Sequence, residues 1–201
     1  MGRKSRREAT GSPTGHTVVI GDVVSMWAKL AWEVDHFSQL QRDYPDQMEP
    51  LGFAAVNVCI AAWSLRNWTW TAFSRREREL GHVLTMQDFL ARLYAAVPEQ
   101  PMCEAIANTA KHAALEESEW TGGRVWIDWH DPTEDTPGTF VLRQFDINTD
   151  GDTLALSRFG DLERNWLDFL KSLGFEAPRD VYDVEFRQRR LRKIFGVRKF
   201  E

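Results

Sequence analysis

At 201 residues, 43% of them hydrophobic and 27% charged, the chain has enough apolar side chains for one sizeable core and too many for wholesale disorder. No unbroken apolar run approaches the roughly 18 residues that span a bilayer; the longest, Phe53 to Trp63, is interrupted by Asn57 and followed by Arg66 and Asn67. The net charge of −5 is unevenly placed: residues 187–201 hold seven Lys/Arg and one Glu, residues 1–9 hold four and one, and the body between is left at −14.

Residues 1–16, "MGRKSRREATGSPTGH", mix charge, Gly, Ser and Pro without apolar periodicity and read as a disordered basic tail. No apolar segment follows the basic residues, so they do not form a secretory signal, and Arg6 stands where a myristoylation motif needs Ser or Thr. The expectation is a soluble, cytoplasmic protein. A first helix is predicted after Gly21 with Asp22 as its cap, because Val23, Trp27, Leu30, Ala31, Val34 and Phe37 recur at helical steps; it ends before Pro45. A second, about 49–75, is the most apolar, and its alanine-rich middle "FAAVNVCIAAW" predicts a central helix with neighbours on several sides. A third starts at Thr85, with Asp88 completing an imperfect capping box, and presents Phe89, Leu90, Leu93, Tyr94 and Val97 before Pro98 and Pro101 break it. The fourth, about 102–119, turns Cys103, Ile106, Ala107, Ala110 and Ala114 inward. Cys59 and Cys103 read as buried thiols acting as small hydrophobes.

Gly122-Gly123 then changes the period from 3.6 to 2. In "RVWIDWH", Val125, Ile127 and Trp129 alternate with Arg124, Trp126, Asp128 and His130, as a half-buried strand requires. Residues 139–147 and 153–158 are two further predicted strands, joined by "NTDGD", whose Asp-Gly pair suits a hairpin. A closing helix, about 160–173, aligns Leu162, Trp166, Phe169, Leu170 and Leu173 and stops at Gly174. The predicted class is α+β, mostly α: an antiparallel four-helix bundle, a small three-stranded antiparallel meander and a C-terminal helix. The segments are a tail over 1–16, the bundle over 17–120, the meander and closing helix packed on it over 121–179, and a basic amphipathic tail over 180–201.

The chemistry-bearing candidates begin with "IANTAKHAAL" (106–115). Glu104, Asn108, His112 and Glu116 share one helical line with Lys111 beside them. A His between an amide and a carboxylate can serve in acid–base work or grip phosphate, whereas the plain alternative is the solvated edge of a bundle helix. Arg66, beside Asn67 among Trp63, Trp68 and Trp70, can stack on indoles and present its fork to phosphate, or simply snorkel out of an apolar helix. Asn57 reads as a buried polar staple with Asn108 or His112 as partner.

The combination "AxNxxIxxW…RNWxW" (Ala55 to Trp70) and "CExIANTAKHxxL" (Cys103 to Leu115) resembles small bacterial and phage helical proteins similar in outline to the HEPN superfamily, over roughly residues 22–120. The resemblance implies a bundle of four or five helices, often dimeric, and in many members a metal-independent endoribonuclease of toxin–antitoxin or phage defence systems. The hallmark of that superfamily is an Arg and a later His with four to six residues between them. Upstream of His112 those positions hold Ala107, Ile106 and Ala105, with Glu104 before them, while Arg76 and His82 satisfy the spacing formally. Transferred to this chain, the resemblance implies His112 as general base or acid, Lys111 or Arg66 neutralising phosphate, and Asn108 orienting the imidazole.

"DINTDGD" matches the first half of a calcium loop, but Ser157 occupies the twelfth position, where a bidentate Glu is needed, so the stretch reads as a hairpin turn. Asp128, His130 and Asp131 lack further ligands at metal-like spacing, and neither metal nor cofactor is expected. The C-terminal run interleaves Arg187, Arg189, Arg190, Arg192, Lys193, Arg198 and Lys199 with Phe186, Leu191, Ile194, Phe195, Val197 and Phe200. Such a pattern suits RNA, or an amphipathic helix docking on an acidic protein surface, a neighbouring copy of this acidic chain or an anionic membrane; the plain alternative is a solvated tail. The leading expectation is an RNA-binding or RNA-cleaving protein without a membrane. The rival is a non-catalytic dimeric adaptor whose basic tail recruits a protein partner. A small-ligand sensor would need a pocket around the tryptophans.

Overall fold

The computed structural model describes residues 20–112, 120, 123–146 and 151–176. Among them are five helices and a three-stranded antiparallel sheet, the α+β, mostly helical class that the change of period predicts. Helix α1 (Val23–Asp43) opens on a capping box in which Asp22 Oδ1 accepts from the Ser25 N–H at 2.7 Å and Ser25 Oγ accepts from the Asp22 N–H at 3.0 Å. Its predicted stripe, Val23 to Phe37, is buried.

Helix α2 (Met48–Glu79) runs past the expected end at 75 and stops in a Schellman turn. Gly81 takes a φ of +82°, its N–H donates to the Arg78 carbonyl at 3.0 Å, and the His82 N–H donates to that of Glu77 at 2.9 Å. Small residues (Ala54, Ala55, Cys59, Ala61, Ala62) line its buried side and let α1 and helix α4 (Gln100–His112) approach. The pattern predicts enclosure on several sides, yet one face stays open. Phe53, Asn57, Ile60, Asn67, Thr71, Arg75 and Arg78 fall on one helical line and all are exposed. Asn57 is therefore a surface residue rather than the buried staple expected, because its line points away from both packed neighbours. By length and composition α2 is also apolar enough to cross a membrane, which a count of unbroken runs misses because isolated polar residues dilute such a helix without cancelling it.

Helix α3 (Met86–Ala96) is capped by Thr85, whose Oγ1 accepts from the Asp88 N–H at 3.1 Å, and it buries Phe89 and Leu93. Pro98 follows its end. Pro101 does not prolong the break: it is the second residue of α4, where the first turn needs no N–H. Helix α4 buries Met102, Cys103, Ala105 and Ala107, whereas Ala110, expected inward, is exposed because the helix end extends beyond its neighbours' cover. Ala114 and Glu116 lie outside the described residues.

The sheet runs β1 (Arg124–His130), β2 (Thr139–Asp146), β3 (Gly151–Leu154), with Ile127 opposite Leu142 and Arg143 opposite Leu154. Asp146 opposite Gly151 closes the predicted hairpin, whose residues 147–150 lie outside the description. On the edge strand β1 the alternation is not clean. Val125 and Trp129 are 38% and 42% exposed, and only Ile127 of the expected trio packs on the core, since an edge strand has cover from one neighbour alone. The strand expected over 153–158 ends at Leu154, and helix α5 (Ala155–Ser172) begins there, five residues early, because Ala155, Phe159, Leu162 and Trp166 continue one helical stripe.

Helix α5 joins sheet and helices into one core. Phe159 meets Phe37 edge-on at 5.0 Å, Phe169 lies 6.0 Å from Phe89, and the Trp27 indole N–H donates to the Glu163 carbonyl at 3.4 Å. A second Schellman turn ends it, with Gly174 at φ +76° and the Phe175 N–H donating to the Leu170 carbonyl at 3.0 Å. The Arg76 guanidinium donates to the Leu173 carbonyl and lies 5.2 Å from the rings of both Phe73 and Phe175.

Candidate functional site

The densest polar arrangement is built where α2, α3 and α4 meet. Arg66 projects from α2 and its Nη1 lies 2.5 Å from Oε2 of Glu104 on α4, the two side chains only 18% and 14% exposed. Arg66 also donates to Asn67 Oδ1 from Nε at 3.2 Å and from Nη2 at 3.1 Å. Tyr94 on α3 donates to Glu104 Oε2 at 3.2 Å, and Gln100 Nε2 donates to Glu104 Oε1 at 2.9 Å and to the Ala62 carbonyl at 3.4 Å. The Trp166 indole of α5 donates to Gln100 Oε1 at 2.8 Å, which saturates a fully buried amide at both ends. Beside it Glu99, in the turn before α4 and 2% exposed, accepts from Asn165 at 3.0 Å and pairs with Arg158 at 3.2 Å. Four helices are thus tied by one run of charged and amide contacts.

Burial dominates the electrostatics there. Desolvation pushes the Glu104 carboxyl above its ordinary value, against the opposing pull of Arg66, Gln100 and Tyr94. The Tyr94 phenol is pushed up to about 12, first by burial and then by the charge and hydrogen bond of Glu104. Next to Glu104 in the chain, Cys103 is held well above the usual thiol range by its hydrogen bond to Cys59 and by burial; both thiols are free and fully buried, as expected of small hydrophobes.

The sequence-predicted residues are distributed differently from the expectation. Arg66 faces a carboxylate. Lys111 is exposed, its Nζ 5.3 Å from the Trp63 ring, and His112 is exposed at the end of α4 with no ion pair among the described residues. Asn108 is half-buried and has an interaction of its own. Arg66 and His112 are therefore not brought together by any contact of the described residues. The formal Arg76–His82 spacing does not assemble a site either: Arg76 reaches the Leu173 carbonyl, while His82 Nδ1 lies 2.9 Å from Glu77 Oε2.

On the sheet, Arg143 stands between Asp128 (Nε to Oδ2, 3.4 Å) and His130 (Nη2 to Nε2, 2.9 Å), and Asp131 accepts from the Trp129 indole at 2.9 Å. Among the described residues no three His, Cys, Asp or Glu side chains stand close enough together to hold a metal ion. Asn148 and Asp150 of the calcium-like stretch lie outside the description, as do Arg187, Arg189, Arg190, Arg192, Lys193, Arg198 and Lys199. Glu99, Gln100, Arg158 and Asn165 escaped the sequence reading, which took Trp166 only as part of the apolar face of its helix. The one available signal was Gln100 and Glu104, four residues apart on the line that also carries the inward Cys103 and Ala107 at its flank.

These features define a mostly helical α+β protein with a polar clasp inside the helical layer. Comparison with protein-family models, with curated proteins and with solved structures finds no match to this chain.

Proposed function

We propose that this chain is a non-catalytic, self-associating interaction module, whose α2 face pairs with that of a second copy and whose basic segment at 187–201 engages an acidic partner surface. The observation that carries this reading is the open line along α2, with Phe53 68% and Ile60 41% exposed on either side of Asn57. Two large apolar side chains thus stand exposed within two turns of one another on an otherwise polar face, and adjoining exposed apolar groups rimmed by polar residues mark interaction surfaces. A two-fold axis near Asn57 would bring Phe53 of one copy onto Ile60 of the other and let the two Asn57 amides meet, the self-complementary arrangement of an isologous dimer. The engagement of Arg66 by Glu104, a carboxylate itself held by Gln100 and Tyr94, supports a structural rather than a phosphate-binding role for that arginine.

Sedimentation across a wide concentration series tests this. The native chain is expected to dimerise, and Phe53→Asp with Ile60→Asp to leave a folded monomer. A native chain that stays monomeric throughout would overturn the reading.

A second reading has its own support: exposed Lys111 stacked on Trp63, with exposed His112 as its chain neighbour, offers cation, ring and imidazole together at one helix end. In this HEPN-like reading the protein binds RNA or cleaves it without metal, in defence or toxin–antitoxin biology. His112 is then the acid or base, Lys111 neutralises phosphate and Asn108 orients the ring. RNA affinity that falls steeply with salt and is lost on deleting residues 186–201, together with cleavage abolished in a stably folded His112→Ala, would favour it over the adaptor.

A further inference from the structure

Strand β1 is an edge of the sheet, bonded to β2 on one side. On its other side its seven residues make no backbone hydrogen bond among the described residues. Proteins blunt such edges with Pro, Lys, a bulge or a charge turned inward. β1 has no Pro or Lys, its register with β2 runs unbroken from Arg124 to His130, and the inner face carries Val125, Ile127 and Trp129. The edge is open to another strand.

Beneath that edge lies a half-open groove of about 240 Å³ between the sheet and α2, α4 and α5. Val125 and Ile127 line it beside Gln144 and Leu142, their partners in the register, and Val56 of α2 and Ile106 of α4 line its helical side. The groove reaches the edge of the sheet: Trp126 borders it although alternation turns that residue to the other face, and Val125 is 38% exposed. Unpaired backbone beside a strip of apolar surface suits an extended peptide, whose main chain prolongs the ladder while alternate side chains enter the groove. A small apolar molecule would fill the groove and leave the edge unbonded. Charge adds a further condition. Asp128 lies 3.4 Å from Arg143, whereas Arg124 rests 5.2 Å from the Trp126 ring and 5.5 Å from that of Phe145, with no carboxylate paired to it among the described residues.

We propose that β1 takes up an extended segment of a partner protein as an antiparallel fourth strand, with apolar residues at every second position and a carboxylate opposite Arg124. Antiparallel pairing continues the existing sheet and is the slightly stronger of the two ladders. The site uses other residues than the exposed line of α2 or the segment at 187–201, so it goes beyond the self-association reading and does not rest on it.

The probe is the peptide acetyl-VKVTVE-amide, whose Val side chains fall opposite Trp129, Ile127 and Val125 and whose closing Glu falls opposite Arg124. Titrated into the full chain and followed by amide NMR, it is expected to shift β1 signals and to slow hydrogen exchange at the alternate β1 residues turned away from β2. Two N-methylated versions separate strand pairing from apolar contact, one methylated at the first, third and fifth residues and the other at the second, fourth and sixth. Only one set of nitrogens faces β1. One version should lose about a hundredfold in affinity, three hydrogen bonds at roughly fivefold each, while the other binds nearly as the parent does. Val125→Glu, at the exposed mouth of the groove, should weaken the parent peptide about tenfold by setting a charge against its apolar side. Should that variant not fold, the methylated pair on the native chain decides alone. No shift of β1 amides at millimolar peptide, or equal loss from both methylation patterns, would overturn the proposal. So would slow exchange of the outer β1 amides in the free chain: if it persists on dilution, the chain's own residues hold the edge, and if it vanishes, a second copy does.

Discussion

Removing the acidic half of the interhelical clasp should be far more damaging than removing both halves. Arg66 and Glu104 are 18% and 14% exposed, and the carboxylate accepts from Arg66, Tyr94 and Gln100. Glu104→Leu leaves the guanidinium buried without its counter-charge and two further donors without an acceptor. Breaking a buried pair in this way costs about 3–5 kcal/mol. For a chain of this size that lowers Tm by roughly 6–20 °C. The raised Glu104 carboxyl says that burial outweighs what its partners return. Replacing both residues with apolar side chains of similar volume, Arg66→Met with Glu104→Leu, should then restore stability to within about 1 kcal/mol of the native chain or exceed it. Urea unfolding of the native chain, the two single variants and the double variant closes the cycle. A single-variant loss under about 1 kcal/mol, or a double variant as unstable as the two losses added, would refute the idea that these groups hold one another.

Three further outcomes follow from the same packing. Because the folded state keeps the Glu104 proton where the unfolded state has lost it, its contribution is full below the ordinary value of 4.5 and declines as the pH rises through the raised folded value; the Glu104→Gln variant should show a flatter stability profile from 4.5 upward, measured by denaturant midpoint, and an unchanged profile would contradict the assignment. Cys59 and Cys103, both fully buried, should resist iodoacetamide in the native chain and react together in urea; full native labelling would argue against the packing. Gly174→Ala, at a φ of +76°, should lower stability by about 1 kcal/mol in thermal unfolding, and a neutral effect would mean the turn relaxes without its left-handed residue.

What could be read without coordinates was mostly local. Asp22 and Thr85 announce their helices because a cap needs only a side-chain oxygen and an N–H three residues on, and the hairpin after β2 follows from its turn residues. Where a distant segment decides, the pattern misleads. Pro101 looked like a breaker because its place in a first turn depends on where α4 begins. Residues 155–158 looked like strand because a short apolar run has no period of its own until Phe159 and Leu162 extend it. The polar site suffered most. Arg66 and Glu104 are 38 residues apart, and each separately resembles a solvated helix edge; only the crossing of α2 and α4 makes them partners. Gln144 was hidden differently, since one amide in "FVLRQF" is seen to be buried only once its neighbour two back, Leu142, is known to face inward.

The contact of Arg76 with the Leu173 carbonyl makes the last turn of α5 dependent on a side chain from the far end of α2. Amide protons near residue 172 should consequently exchange together with those near residue 76, as one opening event rather than as a fraying end. Clipping the chain just before Leu173 would loosen a turn almost a hundred positions upstream.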